Sequence, residues 1–207
     1  MDMTTNMAVK RAKKAQRRKQ VVAQKRRAEA VEASLPARVL RAAQTPIRHC
    51  FLTEAVFEIG MGTLVLTRGG TQDHLTLSSF LIDTFCLGIK DVMFQPIERE
   101  AFEMYMERMD AGSPMASVDP SYARKLLRDL AAWSQSIGFA PHRDFTVVEP
   151  VFGDMSVDAC DAVFQFGRDG KPFYIPGPSD TAPLIQRRIA QLQNHLGDGG
   201  FGFEVAA

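Results

Sequence analysis

The sequence predicts an α+β fold: an antiparallel sheet of two hairpin units, packed with three to four helices and preceded by a basic N-terminal tail. Three observations carry this reading. Two β-type runs flank Gly69-Gly70, two aromatic runs flank Asp169-Gly170, and Asp119-Pro120 opens a stretch of helical apolar spacing. The elements run as three strands, two helices, a short strand, a hairpin and a helix, an order that favours an antiparallel sheet over a doubly wound parallel one.

Residues 1–35 form the tail. They are rich in Ala, Lys, Arg and Gln, all good helix formers, and contain no Gly or Pro. The face begun by Ala8, Ala12, Ala15 and Val22 is interrupted by Lys19 and Arg26. A helix polar on every side has little to pack against, so the tail is expected to fray when free and to become helical on a negative surface.

Pro36 closes the tail, and residues 37–45 suit a short connecting helix. Residues 36–197 are then one domain and 198–207 a flexible end. A strand is expected over Phe51–Ile59, a break at Gly60-Met61-Gly62, and a hairpin of Thr63–Thr67 with His74–Phe80. The following run, Phe80 to Asp91, is apolar on both faces and reads as buried.

A helix is expected over Ile97–Met109. The next has Asp119 as N-cap, Pro120 in its first turn, an apolar face of Tyr122, Leu126, Leu127, Leu130, Trp133 and Ile137, and Gly138 as its stop. Phe145–Val148 reads as a short strand. Val163–Gly167 and Pro172–Ile175 read as a second hairpin, because Asp169-Gly170 tolerates the positive φ of a tight turn. The last helix spans about Asp180–Leu196 and ends at Gly197.

Hydrophobic residues make up 45% of the chain and charged residues 24%, which excludes a wholly disordered polypeptide. No apolar run approaches the length of a membrane span. The N-terminus lacks the apolar stretch of a secretory signal, and three cysteines (Cys50, Cys86, Cys160) form no C-x-x-C pair. Both features point to reduced thiols in a cytoplasmic protein.

The net charge of +1 conceals a division. Residues 1–35 hold ten cations (Lys10, Arg11, Lys13, Lys14, Arg17, Arg18, Lys19, Lys25, Arg26 and Arg27) against Asp2, Glu29 and Glu32, a net +7. The rest holds 15 cations and 21 acids, a net −6. Such a cationic block suits phosphate contact without base reading. A solubilising or targeting extension is the competing reading. An interfacial membrane helix lacks its large apolar residues here, and the lysine load argues against a mitochondrial presequence.

Asp83, Lys90 and Asp91 stand in the apolar run around Cys86, where buried charge is costly unless paired. With His142 and Asp144 they are the candidate catalytic residues, Cys86 serving as nucleophile if its pKa were lowered. The structural reading has Asp83 and Lys90 pairing or capping a strand end and Cys86 filling the core, and it is preferred. His49-Cys50, His74, Cys86, His142-Arg143-Asp144, Cys160-Asp161 and His195 are possible metal ligands, but none shows the close paired spacing of a zinc site. No metal and no cofactor is expected. In Pro176-Gly177-Pro178-Ser179-Asp180 the helix start could bind an anion, but Ser179 or Asp180 is suited to cap it instead.

The stretches Phe80–Asp91 (FLIDTFCLGIKD), Gly138–Phe145 (GFAPHRDF) and Phe166–Tyr174 (FGRDGKPFY) resemble those of a bacterial family known mainly as hypothetical proteins. The resemblance covers residues 49–197; basic N-terminal tails recur in that family, and it implies a bacterial cytosolic origin and no particular activity. The leading functional expectation is a non-enzymatic protein associated with RNA or DNA, the ribosome included, through its tail. The alternatives are a hydrolase or nuclease acting on a polyanion, and a protein-interaction module.

Overall fold

The computed structural model describes residues 34–71 and 73–204. The ten tail cations lie outside the described residues. Helix α1 (Leu35–Ala43) opens the described chain, and from Val39 onward the residues form one compact unit. Its elements are β1 (Ile47–Thr53), α2 (Val56–Ile59), β2 (Met61–Arg68), β3 (His74–Asp83), β4 (Gly88–Glu98), α3 (Arg99–Gly112), β5 (Met115–Ser117), α4 (Pro120–Ser136), α5 (Phe145–Val148), β6 (Phe173–Tyr174), α6 (Ala182–Leu196) and β7 (Gly202–Phe203). The fold is α+β, built on a five-stranded antiparallel sheet of order β4-β3-β2-β1-β5.

Residues opposite one another in register share a face. Leu52, Leu64 and Phe80 therefore stand on one side, Phe51, Val65 and Ser79 on the other. On the first side the ring of Phe80 meets Phe145 edge-on and Phe152 tilted, each at 6.3 Å, and the buried leucines of α4 (Leu126, Leu127, Leu130) complete that core. On the second side Val65, Leu75 and Leu77 pack under α3 through Phe102, with Tyr105 and Met106 beside it. The sheet is thus covered on both faces, which explains why β2 alternates so weakly in polarity. A third cluster joins Cys86, Leu87, Ile137, Phe139, Tyr174 and Leu192 beneath α6.

One register shift interrupts the β3–β4 ladder. Leu81 faces Asp91 but Ile82 faces Ile89, so Lys90 is the extra residue of a β-bulge. β4 is an edge strand, where Pro96 removes no ladder donor that another strand needs.

Two buried guanidiniums fix the loop after α5. Arg68 donates to the carbonyls of Ala43 (2.8 Å), Thr45 and Phe152 (2.6 Å). Arg124 donates through Nε to Glu149 (2.7 Å) and through Nη1 to the carbonyls of Gly153 (2.8 Å) and Met155, and Arg128 adds a bond to Glu149 (2.6 Å). Gly153 has φ 66°, and a Cβ there would stand 3.0 Å from Arg68 Nη2.

Several expectations are corrected. The strand expected to reach Ile59 stops at Thr53, and Val56–Ile59 is a helical turn closed by Gly60 at φ 78°. Phe145–Val148 is helical, not a strand: Val148 N–H returns to Asp144 O (2.9 Å), and burial of Phe145 and Val148, three apart, follows the helical period. The second hairpin contracts to its turn. Asp169 (φ 55°) and Gly170 (φ 77°) make the expected reversal, with a single bridge from Arg168 to Lys171. No ladder forms beyond it, because Phe164 and Phe166 stack on other rings and Phe173–Tyr174 pairs in parallel with Gly202–Phe203. Within the C-terminal segment Gly202–Phe203 forms a two-residue strand, and Phe201 packs in the α6 cluster.

Arg124→Ala would strip Glu149 of its buried partner and leave two carbonyls unpaired. A loss of about 3–5 kcal/mol in urea-derived stability is expected. Burial raises the Glu149 pKa, but the bonds from Arg124 and Arg128 outweigh it and hold the carboxyl below 4.5. Its contribution is therefore present above pH 4.5 and lost as pH falls through the folded value. Glu149→Gln should flatten that acid limb, and an unchanged slope would contradict the pairing.

Candidate functional site

Asp83 closes β3, and Thr84–Leu87 form the turn into β4. Only 3% of Asp83 is exposed. Its Oδ1 accepts backbone N–H groups from Phe85 (3.0 Å) and Cys86 (2.8 Å). Burial pushes this carboxyl up, and the bonds from the turn together with the charge of Lys90 only partly offset that. Cys86 is wholly buried, and its thiol is pushed up by burial first and by Asp83 second. A thiol buried and pushed up in this way has the character of a small core residue. Cys50 is pushed up to about 12, chiefly by burial.

The bulge turns Lys90 toward Asp83 and Cys86, whose charge states it influences, and toward Asp180. Asp91 leaves in the other direction. Its Oδ1 lies 3.7 Å from His142 Nε2, and His142 Nδ1 accepts from the Asp144 backbone (3.3 Å). The six candidate residues thus separate into Asp83, Cys86 and Lys90 around the hairpin turn, and Asp91, His142 and Asp144 at the outer edge of β4. The second group is held there by His142 N–H donating to Ile89 O (2.9 Å).

Sequence reasoning missed a polar network beside the first group. Asp180 Oδ2 accepts from Tyr174 OH (2.8 Å), from the Gly177 backbone (2.9 Å) and from Arg188 Nη1, which also donates to Tyr174 OH (3.1 Å). Burial raises the Asp180 pKa, but the bonds from Gly177 and Tyr174 and the charges of Arg188 and Lys90 hold it below the ordinary value. Asp180 therefore ties the Pro-Gly-Pro loop to α6 instead of capping it; Thr181 occupies the N-cap position. The Arg188 signal was legible only as one more charge in an amphipathic helix.

A second missed site is a pocket of about 330 Å3 between the starts of β1 and α3. Ile47, Leu75 and Phe102 form its apolar wall, and Arg48, His49, Arg99 and Glu103 its polar rim. The His49 ring lies between Phe51 (5.9 Å) and Phe102 (5.0 Å), and its Nδ1 meets Thr67 Oγ1 at 2.8 Å. Arg48 donates to the carbonyls of Gly69 (2.9 Å) and Gly70 (3.1 Å), and Arg99 Nε to Glu103 (2.8 Å). A guanidinium has five N–H donors, so Arg48 keeps some for a ligand. Burial lowers the His49 pKa, and the charges of Arg48 and Arg99 lower it further. The rim is therefore electropositive, on a body of net negative charge.

Among the described residues no group of three or more His, Cys, Asp or Glu side chains is placed to hold a metal ion. His74 pairs with Glu98 (2.9 Å), and His195 Nδ1 contacts Gln191 O (2.9 Å). No helix among the described residues is long and apolar enough to cross a membrane. Comparison with protein-family models, curated proteins and solved structures gave no match.

Asp83→Ala leaves two buried N–H groups without an acceptor, and a loss of roughly 1–3 kcal/mol is expected. Asp83→Asn keeps the acceptor and removes the charge. The folded pKa of Asp83 is raised, so its contribution is full below pH 3.8 and is lost as pH rises through the folded value. The advantage of Asp83→Asn over wild type should therefore widen above pH 3.8; a variant as unstable as Asp83→Ala would contradict the capping role. In the native protein an aromatic disulfide reagent should titrate Cys160, which is partly exposed, well before Cys50 and Cys86, which are buried.

Proposed function

We propose that this protein associates with nucleic acid, RNA or DNA and the ribosome included, through the cations of residues 1–35, and that its body serves binding and not catalysis. The observation that carries the reading is the charge division: +7 in the first 35 residues against −6 in the rest. Lys and Arg at that density neutralise phosphates and release counterions, and interleaved Ala and Gln add no base-reading chemistry. The pocket rimmed by Arg48, His49 and Arg99 gives the body one electropositive contact of its own. The bonding of Asp83 and the raised thiol of Cys86 favour a structural role for the residues a hydrolase or nuclease would have used. A cytoplasmic, reducing compartment suits the buried thiols Cys50 and Cys86.

Affinity for a mixed-sequence RNA or DNA should fall linearly with the logarithm of salt concentration. Six or more phosphate contacts imply a loss of about a thousandfold or more between roughly 50 and 200 mM salt. Deleting residues 1–34 should abolish binding. Arg48→Gln with Arg99→Gln should only weaken it, reducing the salt slope by about one for each phosphate no longer neutralised. Binding that survives the deletion with its salt slope intact overturns the proposal.

A further inference from the structure

The segment between Cys160 and Gly167 is an unpaired edge. Burial alternates along it: Ala162, Phe164 and Phe166 turn inward, while Asp161, Val163 and Gln165 are exposed, Val163 at 94%. A period of two is that of an extended chain. Yet the backbone N–H and C=O groups of Ala162, Val163, Phe164 and Gln165 have no partner among the described residues. The segment is pinned only at its ends, by Cys160 N–H to Val157 O (3.2 Å) and Gly167 N–H to Thr84 O (2.8 Å).

Its inward side chains are rigidly seated. Phe164 stacks on Phe57 (6.0 Å) and Phe166 (6.1 Å), meets Tyr122 edge-on at 5.1 Å, and carries Lys125 over its ring. Phe166 lies 5.3 Å from Trp133. Beside the segment runs a groove of about 420 Å3, lined by Phe57, Tyr122 and Asp169 together with Ala162, Val163, Phe164 and Gln165 of the segment itself. Asp169 is the charged residue of that lining, and the Lys125 ammonium lies over its Phe164 ring. Asp158, Asp161 and Asp169 are exposed along the strip, and Asp161 and Asp169 form no ion pair among the described residues. The strip's one arginine, Arg168, is turned onto the rings of Phe173 (3.9 Å) and Phe85 (5.2 Å) and toward Glu204.

We propose that residues 161–166 bind an extended, lysine- or arginine-bearing peptide of a partner protein by strand addition. The peptide backbone takes up the unpaired N–H and C=O groups of one alternate pair, 162 and 164 or 163 and 165. Its alternate apolar side chains enter the groove between Phe57 and Tyr122, and its cations face Asp161 and Asp169. Main-chain bonds supply affinity in this mode and side-chain pockets supply selectivity. An exposed, flat, unpaired edge is otherwise a liability that proteins blunt with Pro, Lys or a covering segment, and neither Pro nor Lys stands between 161 and 166. Nucleobases stacking on the same rings would have to approach an acidic strip, which disfavours them. The inference is independent of the nucleic-acid reading.

The probe is a capped heptapeptide of alternating Lys and Val with a central Phe, added to the full-length chain. Trp133, the single tryptophan, reports on the adjacent ring of Phe166 by fluorescence. Amide hydrogen exchange at one alternate pair, 162 and 164 or 163 and 165, should slow at least about tenfold at saturation. Val163→Pro and Ala162→Pro each delete a donor on one edge. One of them should abolish binding while leaving the melting temperature unchanged, because neither N–H has a partner among the described residues. Asp161→Lys should weaken the peptide about fivefold, and a Glu-for-Lys version of the probe should bind still less. Unchanged exchange at saturating peptide overturns the proposal. So does slowed exchange at 162–165 on adding oligouridylate in place of the peptide, or concentration-dependent self-association that Val163→Pro or Ala162→Pro abolishes, which would make a second copy the occupant.

Discussion

The tip of the β3–β4 hairpin is the constraint on which the rest of the chain depends. Asp83 commits one carboxylate oxygen to the N–H groups of Phe85 and Cys86, and so holds a four-residue turn rigid at low exposure. Other backbone groups of that turn then become docking points. Thr84 N–H reaches Gly60 O and its hydroxyl reaches Val56 O, which fixes α2. Thr84 O receives Gly167 N–H and Phe85 O receives Phe173 N–H, which fixes the return of the C-terminal chain. Gly88, at φ 71°, sits so near Ser134 that a Cβ would lie 2.2 Å from its hydroxyl oxygen, which sets the approach of α4. A buried carboxylate at such a place is costly, and it is tolerated because it satisfies N–H groups that water does not reach.

From that hub the chain between α5 and β6 is suspended at two ends. At one end Arg68 and Arg124 gather the carbonyls of residues 152–155, and at the other Thr84 and Phe85 hold Gly167 and Phe173. The intervening aromatics have their rings fixed by Phe57, Tyr122 and Trp133. The backbone between them is therefore extended without belonging to a sheet. Rigid side chains with unpaired main-chain groups are what a strand-adding ligand needs, since little ordering entropy is left to oppose it.

Local signals made much of this legible from the sequence, and long-range ones did not. Asp119-Pro120 capped α4 as read, with Asp119 accepting from Ser121 N (2.7 Å), and Gly69-Gly70 turned the β2–β3 hairpin. Phe145–Val148 misled because three β-branched residues, Thr146, Val147 and Val148, outweigh a helical burial period that only the packing of Phe80 reveals. The second hairpin misled because Asp169-Gly170 encodes a reversal but not what the flanking residues pair with. Arg68, Arg124, Arg188 and the rim of Arg48, His49 and Arg99 were invisible, since what they meet is set by the fold and lies as far as 84 residues away in sequence. The Asp83–Asp91 segment stands out in the sequence as unusual, but which backbone groups Asp83 accepts from is visible only in the fold.

The charge division and the body's own sites are consistent with one another on electrostatic grounds. The net negative charge of the body disfavours phosphate, and Arg48 and Arg99 offset it locally beside His49. The same negative charge favours a cationic peptide along 158–169, where the acids are exposed and the arginine is turned inward. At physiological ionic strength these fields fade over about 8 Å, so each acts on what touches it and not across the molecule. In the proposed scheme the basic N-terminal segment and the acidic strip take ligands of opposite sign, a nucleic acid and a basic polypeptide, so neither ligand competes for the other's site.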